Sequence, residues 1–277
     1  MNMKELEKAK DFFDKKGFIV DETMLKATLS AIKHGKSIFA VGPTGSGKTH
    51  FYQLLAEHLK GAYHYQSLNG SVTIHDLTQE RILGKDGKFE ERDMVLANWL
   101  RDAKKGVSFL QLDEVNAAKP ETLLALHPIM DIKGELELPY TQEVLKVTNN
   151  AIIVMSCNEG DEYHGINAMN MAFLNRMGIK VHFDYIQGEV LAEMLSERYS
   201  VDIEQTRQVV STWESYMSSR DPEEPVVSIR VLENWVELSK DLGLKTAGIH
   251  TFGGLISTSS ENLIEIAEGT FFVNLKD

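Results

Sequence analysis

Cysteine is nearly absent from this sequence, and long apolar runs are missing. Cys157 is the single cysteine among 277 residues, which excludes an internal disulfide framework and a cysteine-based zinc site. Nowhere do 18 apolar residues follow one another, so no transmembrane helix is expected. Residues 1–17 are charged throughout and lack the apolar core of a signal peptide, and we expect a cytoplasmic protein with no membrane partner.

Basic residues are also fewer than acidic ones. Lys and Arg number 29 against 41 Asp and Glu, a net charge of −12, so the summed field repels nucleic acid and anionic membranes. Nucleic acid could bind only at a locally basic groove or ring pore, and we do not favour it as a partner. The composition is otherwise that of a globular protein, and the length allows one or two domains.

The eight residues 42–49, GPTGSGKT, fit the phosphate-binding loop pattern GxxxxGK[ST]. Glycines let successive N–H groups turn toward a polyphosphate, and an apolar strand before the loop and a helical pattern after it supply the expected context. Lys48 is predicted to reach the β- and γ-phosphates of ATP, and the Thr49 hydroxyl to bind Mg²⁺. The alternative is a glycine-rich turn without a ligand. The candidate ATP-binding residues are Gly42, Pro43, Thr44, Gly45, Ser46, Gly47, Lys48 and Thr49.

A second motif stands where the apolar run 107–112 ends in Asp113 and Glu114. A rigid strand end can hold one carboxylate beside Mg²⁺ and the next beside an attacking water. We therefore predict Asp113 as a metal-side group and Glu114 as the general base. The adjacent glutamate favours hydrolysis over phosphoryl transfer, although a strand ending in Asp-Glu is common on its own.

The chain changes character near residue 185. Before it, strands and helices alternate, with hairpins predicted around Gly87 and Pro139 and a helix over 120–130 disturbed by Pro128. After it only helical patterns follow, apart from a possible final strand in 270–277. We predict an α/β nucleotide-binding core over 1–185 and a helical domain over 186–277. The later helices are expected at 188–199, from 202 or 203 to 217, at 228–242 and at 260–268.

Taken together, these motifs resemble an AAA+ ATPase, and more narrowly the MoxR, CbbQ/NorQ and CobS group, a dynein-related family associated with von Willebrand A partners. The stretches that carry the resemblance are GPTGSGKT, LDEVNAAKPETLLALHPIMD, SCNEGDEYHGINAMNMAFLNRM and VSIRVLENW. The resemblance implies a P-loop NTPase fold, with a five-stranded parallel sheet between helices and a small C-terminal helical lid. It also implies a homo-oligomeric ring, usually a hexamer, with ATP at the subunit interfaces.

The same resemblance implies roles for three further residues. Asn158, which ends the apolar strand 151–157, matches the sensor 1 position and is expected to orient the attacking water. Arg176 matches the arginine finger that reaches the neighbouring subunit's γ-phosphate, and Arg230 matches sensor 2 at the start of a lid helix. A strand-end cap and ordinary surface ion pairs are the alternatives. Two departures from the group are Asn175, where an aspartate is common, and the lack of an aromatic-glycine pore loop.

Three functions follow as hypotheses. The first is a chaperone-like, Mg²⁺-dependent ATPase that remodels or activates a partner protein or inserts a metal centre, with a von Willebrand A domain protein as the implied partner. The second is a nucleic-acid motor or the NTPase of a restriction-like or phage system, which the acidic charge disfavours. The third is a small-molecule kinase, which shares only the phosphate-binding loop.

Overall fold

The computed structural model describes residues 3–85, 87–131, 134–158, 171–221, 223–256 and residue 275. They fall into two compact units. One holds the chain up to Phe183 except loop residues 43–46, and the other holds residues 43–46 together with the chain from Asp184 onward. The division into domains at residue 185 stays a prediction, because compactness alone does not show that each part folds independently.

The first unit is an α/β structure. Its helices are α1 (Met3–Lys15), α2 (Glu22–Lys33), α3 (Lys48–His58), α4 (Ile74–Thr78), α5 (Val95–Ala103), α6 (Pro120–Ala125), α7 (His127–Met130) and α8 (Met171–Leu174). Its strands are β1 (Ile38–Gly42), β2 (Ala62–Ser67), β3 (Gln79–Leu83), β4 (Phe89–Asp93), β5 (Ser108–Asp113), β6 (Glu135–Glu137), β7 (Val144–Lys146), β8 (Ala151–Asn158) and β9 (Ile179–His182).

Five of these strands form one sheet, in the order β2-β5-β8-β1-β9, and every neighbouring pair is parallel. The central strands are nearly continuous apolar runs because helices cover both faces of a parallel sheet. Successive residues of β5 therefore enter different cores: Phe109 packs with the helices of one face, Leu110 and Leu112 with those of the other. This sheet confirms the predicted fold class.

The carboxyl ends of the strands meet at one edge. The register pairs Gly42 with Asn158 and Ser67 with Asp113. Polar residues that follow apolar strands in the sequence are thereby gathered into one row, which is the position where parallel α/β sheets bind ligands.

Two small antiparallel hairpins are inserted, β3 with β4 and β6 with β7, as predicted. The predicted effect of Pro128 is also confirmed, since the helical pattern over 120–130 splits into α6 and α7. Proline lacks the N–H that an uninterrupted helix would need there.

The second unit is helical, which confirms the predicted C-terminal helices up to residue 242. Buried Trp213, Trp235 and Phe252 lie in its core. The predicted helix over 260–268 and strand within 270–277 lie outside the described residues. Its helices are α9 (Gly188–Tyr199), α10 (Ile203–Ser219), α11 (Ile229–Leu242), α12 (Leu244–Gly248) and α13 (Gly254–Ile256). None of the helices described in either unit has the length and apolar character that a membrane span requires.

Candidate active site

The loop 42–49 connects β1 to α3, as its sequence requires. None of its three glycines can be replaced without strain, and two of them illustrate the reasons. A Cβ atom on Gly42 would lie 2.1 Å from the backbone oxygen of Phe183. Gly47 has φ +86°, and a Cβ there would meet the Phe18 ring at 3.2 Å. These positions account for the first and third glycines of the motif without reference to a ligand.

Lys48 is the first residue of α3 and is only 6% exposed. Its Nζ donates to the carbonyl oxygen of Gly42 at 2.8 Å and to Oδ1 of Asn158 at 3.0 Å. The structure therefore joins two predicted site residues that are far apart in the sequence. The ammonium group lies beside the first residue of the loop, where it could form an ion pair with a bound anion.

Asp113 and Thr49 also come together. Thr49 Oγ1 donates a hydrogen bond to Oδ2 of Asp113 at 3.3 Å, and Asp113 is the last residue of β5. One carboxylate and one hydroxyl oxygen are the hard donors that Mg²⁺ takes when phosphate and water complete its shell. The donor set at this point fits a magnesium ion shared with a polyphosphate.

Glu114 follows in an unusual backbone conformation, with φ +55°. Left-handed backbone is uncommon for a residue other than glycine, and such outliers gather at functional sites. Its side chain is exposed, and Oε2 accepts a hydrogen bond from Ser67 Oγ at 2.9 Å. The geometry holds the carboxylate at the open edge of the sheet.

Sequence reasoning missed several polar residues around Asp113. Ser156 donates to Asp113 Oδ1 at 2.6 Å, and Tyr65 donates to Oδ2 at 3.2 Å. The Glu114 N–H also donates to Oδ1, at 3.0 Å. A polar residue within an apolar strand, such as the serine in AIIVMSCN, could have indicated such a contact. The sequence does not show which residue it bonds to, because that depends on strand register.

Arg176 is not part of this cluster. Its Nε donates to Asp131 Oδ1 at 2.7 Å, and its carbonyl accepts from Ser37 Oγ at 2.9 Å. Ser37 precedes β1, whereas the phosphate-binding loop follows that strand, which has 5 residues and is about 17 Å long. The arginine is thus anchored at the amino edge of the sheet, too far away to reach the loop of its own chain.

Arg230 lies in the second unit, in the first turn of α11. Loop residues 43–46 belong to the same unit. A Cβ atom built on Gly45 would be 3.6 Å from Arg230 Cγ, and the Thr44 carbonyl accepts from the Tyr185 hydroxyl at 2.6 Å. Within that unit, Arg230 is therefore brought to the tip of the loop.

Comparisons with known proteins find a family model and relatives that match this chain. The model of the AAA domain, dynein-related subfamily, matches residues 37–177. An uncharacterized protein of Staphylococcus aureus strain bovine RF122 / ET3-1 is 33% identical over 196 residues, which cover 69% of this chain and 72% of that protein. Its counterpart in strain NCTC 8325 / PS 47 is 33% identical over 197 residues, with the same coverage of 69% and 72%.

A solved structure is similar as well. The crystal structure of a candidate ATPase from Cytophaga hutchinsonii superposes with a TM-score of 0.56 at 20% identity. The match covers 96% of this chain and 86% of that one. At this level of identity the likeness concerns the fold.

Proposed function

Because the chain belongs to the AAA domains of the dynein-related subfamily, we propose that it hydrolyses ATP with Mg²⁺ and, assembled as a ring, remodels or activates a partner protein. Family membership confirms the resemblance drawn from the sequence and makes the chain an AAA-family ATPase. The choice among MoxR, CbbQ/NorQ and CobS stays a prediction. The observation that carries the proposal is the cluster of Lys48, Asn158, Thr49 and Asp113 at the carboxyl edge of the sheet.

The loop and Lys48 would hold the phosphates of ATP. The helix that Lys48 opens offers the positive end of its dipole, and glycines let the backbone approach closely. Since Lys48 already donates to two oxygens, its ammonium group is oriented before ATP arrives. Asn158 Oδ1 is one of those acceptors, so nucleotide binding and the predicted water-orienting residue are coupled through a single side chain.

Asp113 and Thr49 would hold the metal. Mg²⁺ bound there would offset the negative charge of the β- and γ-phosphates. The two side chains supply one carboxylate and one hydroxyl, so further ligands would come from phosphate and water.

Glu114 would act as the general base. Its exposed carboxylate can accept a proton from water, and the Ser67 hydroxyl holds one oxygen while leaving the other available. The left-handed backbone turns this side chain away from the strand direction. Hydrolysis, not transfer to a second substrate, is the reaction this arrangement favours.

Arg176 would act on the site of a neighbouring subunit. Its anchoring beside Ser37 and Asp131 separates it from its own loop. An arginine offered in trans neutralises charge that develops in phosphoryl transfer and makes turnover depend on assembly. The ring state, commonly a hexamer in the group, is part of this proposal.

The partner is proposed from the family resemblance: a von Willebrand A domain protein or an enzyme that receives a metal centre. Arg230 supports a mechanical role because, in the second unit, it lies beside the tip of the loop. Nucleotide-dependent movement of α11, whose first turn contains Arg230, would supply the work of remodelling.

One observation favours the alternative of a nucleic-acid motor. The hairpin of β3 and β4 exposes Lys85 and Lys88 at its tip, and the Phe89 side chain is 64% exposed. Cationic and aromatic groups together can hold single strands. The net charge of the whole chain, −12, opposes this function because it repels the phosphates of nucleic acid.

Turnover of ATP measured against protein concentration, with molecular mass determined in parallel, tests the proposal. Wild type and Arg176→Ala are compared with and without DNA. We expect activity to rise with assembly, to need Arg176 and to ignore DNA. Strong, salt-sensitive stimulation by DNA would favour the motor, and a fully active monomer would refute the shared site.

A further inference from the structure

A line of buried polar side chains lies directly beneath Asp113. Gln111 in β5 and Ser156 in β8 are both 0% exposed, although the strands around them are almost wholly apolar. Burying an amide or a hydroxyl costs free energy unless each group finds a hydrogen-bond partner. Both side chains do find partners, and those partners connect them to the proposed metal site.

The hydrogen bonds of Gln111 run in one direction. Its Oε1 accepts from the Tyr63 hydroxyl at 2.7 Å. Its Nε2 donates to Ser156 Oγ at 3.1 Å and to Thr49 Oγ1 at 3.4 Å. Because Tyr63 occupies the carbonyl side of the amide, the NH₂ side faces the two hydroxyls.

The hydroxyls of Ser156 and Thr49, which accept from Gln111, in turn donate to Asp113. Each has a single proton, and an N–H from Gln111 occupies one of its lone pairs. Ser156 donates to Asp113 Oδ1 at 2.6 Å, and Thr49 donates to Oδ2 at 3.3 Å. Each oxygen of the Asp113 carboxylate thus accepts a hydrogen bond from a different hydroxyl, which fixes the plane of the carboxylate.

The Tyr63 hydroxyl is the donor at the start of this series of hydrogen bonds. Burial, together with the nearby Tyr65 and the charge of Asp113, raises the pKa of the Tyr63 hydroxyl well above its usual range. The hydroxyl therefore stays protonated and remains a donor to Gln111. Thr49 retains a second lone pair for a metal ion, since its first one is taken by the amide.

We propose that Gln111 and Ser156 are positioning residues, which orient the Asp113 carboxylate and the Thr49 hydroxyl for a divalent cation. This inference rests on the proposed function, because it concerns the same nucleotide site. Groups behind metal ligands commonly set affinity for the ion, and their loss typically costs about ten- to a hundredfold. Neither residue touches the ion or the reacting atoms, so their effect should appear in metal dependence before it appears in turnover.

The test compares Ser156→Ala with Ser108→Ala. Ser108 lies at the opposite end of β5, is also 0% exposed, and its hydroxyl has no hydrogen-bond partner within the described part of the chain. Binding of a non-hydrolysable ATP analogue is measured in EDTA and across a Mg²⁺ titration, with thermal unfolding as the check on folding. The two variants make the same chemical change at equal burial.

For Ser156→Ala we expect unchanged analogue affinity in EDTA and a half-saturating Mg²⁺ concentration raised about tenfold. ATP turnover should recover at high Mg²⁺. Ser108→Ala should match wild type in every binding measurement. Gln111→Met, which removes the amide from both hydroxyls, should raise the Mg²⁺ requirement at least as much as Ser156→Ala.

Unchanged Mg²⁺ dependence in Ser156→Ala and Gln111→Met would overturn the inference while leaving the proposed function intact. Equal loss of analogue binding with and without Mg²⁺ would also overturn it, since that pattern indicates a purely structural role. If wild type binds no nucleotide at all, the proposed function fails and the inference fails with it.

Discussion

The two edges of the central sheet treat buried polar groups differently. At the carboxyl edge, Ser156 is fully buried and donates to Asp113 at 2.6 Å. At the amino edge, Ser108 is equally buried, but its hydroxyl has no hydrogen-bond partner among the residues that the structure describes. The buried polar groups of one edge are connected into a site, whereas an isolated hydroxyl at the other is simply tolerated. Burial alone therefore does not distinguish the candidate site, whereas the hydrogen bonds of the buried groups do.

Arg176 complicates this comparison, because a predicted catalytic residue lies at the amino edge. It is held there by Asp131 and Ser37. If the residue is needed for hydrolysis, the amino edge of one subunit must meet the carboxyl edge of the next. The two edges would then form the two halves of a single site on different chains.

The largest expected effect is that of Arg176→Ala. We expect ATP binding to be retained and turnover to fall about a thousandfold, the scale of a missing arginine finger. Mixing it with a Lys48→Ala variant, whose Arg176 is intact, should restore part of the activity in a phosphate-release assay. Arg92→Ala, an exposed arginine of β4, is the control. Absence of rescue in mixed assemblies would leave the two edges unconnected.

Glu114→Gln should follow in size. The variant is expected to bind ATP normally and to hydrolyse it at least about a hundred times more slowly, because an amide cannot take the proton of water. Single-turnover measurements separate this step from binding. The control is Glu121→Gln, at an exposed position in the first turn of α6, which should leave turnover unaltered. Near-normal hydrolysis by Glu114→Gln would remove the general base from the carboxyl edge.

Lys48→Ala tests the same edge through binding. We expect ATP affinity to fall roughly a hundredfold, since losing a charged hydrogen bond at a buried site costs about 3 kcal/mol. Titration calorimetry measures the change directly. Lys36→Ala provides a control at the amino edge, where the exposed lysine lies just before β1. Equal ATP affinity in the two variants would contradict the division between the edges.

The smallest effect is expected outside both edges. Asp21 caps α2 by accepting from the Met24 N–H at 2.7 Å. Asp21→Ala should lower the free energy of unfolding by about 1 kcal/mol and leave ATP turnover per folded molecule unchanged. Chemical denaturation with a parallel activity assay checks both. A large loss of activity at full folding would extend the functional region to the N-terminal helices.

The sequence predicted the members of this site better than its connections. Asp113 and Asn158 each end an apolar strand, and Lys48 follows another such strand through the loop 42–47, so their places at one edge follow from parallel topology. Pro128 likewise predicted the break between α6 and α7, because its effect is local.

Gln111, Tyr63 and Ser67 were not predicted. Tyr63 and Gln111 lie two register positions apart on neighbouring strands, and Ser67 pairs directly with Asp113. Such contacts depend on which strands are neighbours and how far they are shifted, and a shift of one residue would place every one of these side chains on the other face. Local periodicity contains no record of that choice.

The left-handed backbone of Glu114 implies a conflict between durability and activity. A β-carbon in that conformation costs about 1 to 2 kcal/mol, and glycine does not bear this cost. Glu114→Gly should therefore resist heat better than wild type while losing the carboxylate that turnover needs. A screen of random variants for thermal resistance alone would enrich the inactive form.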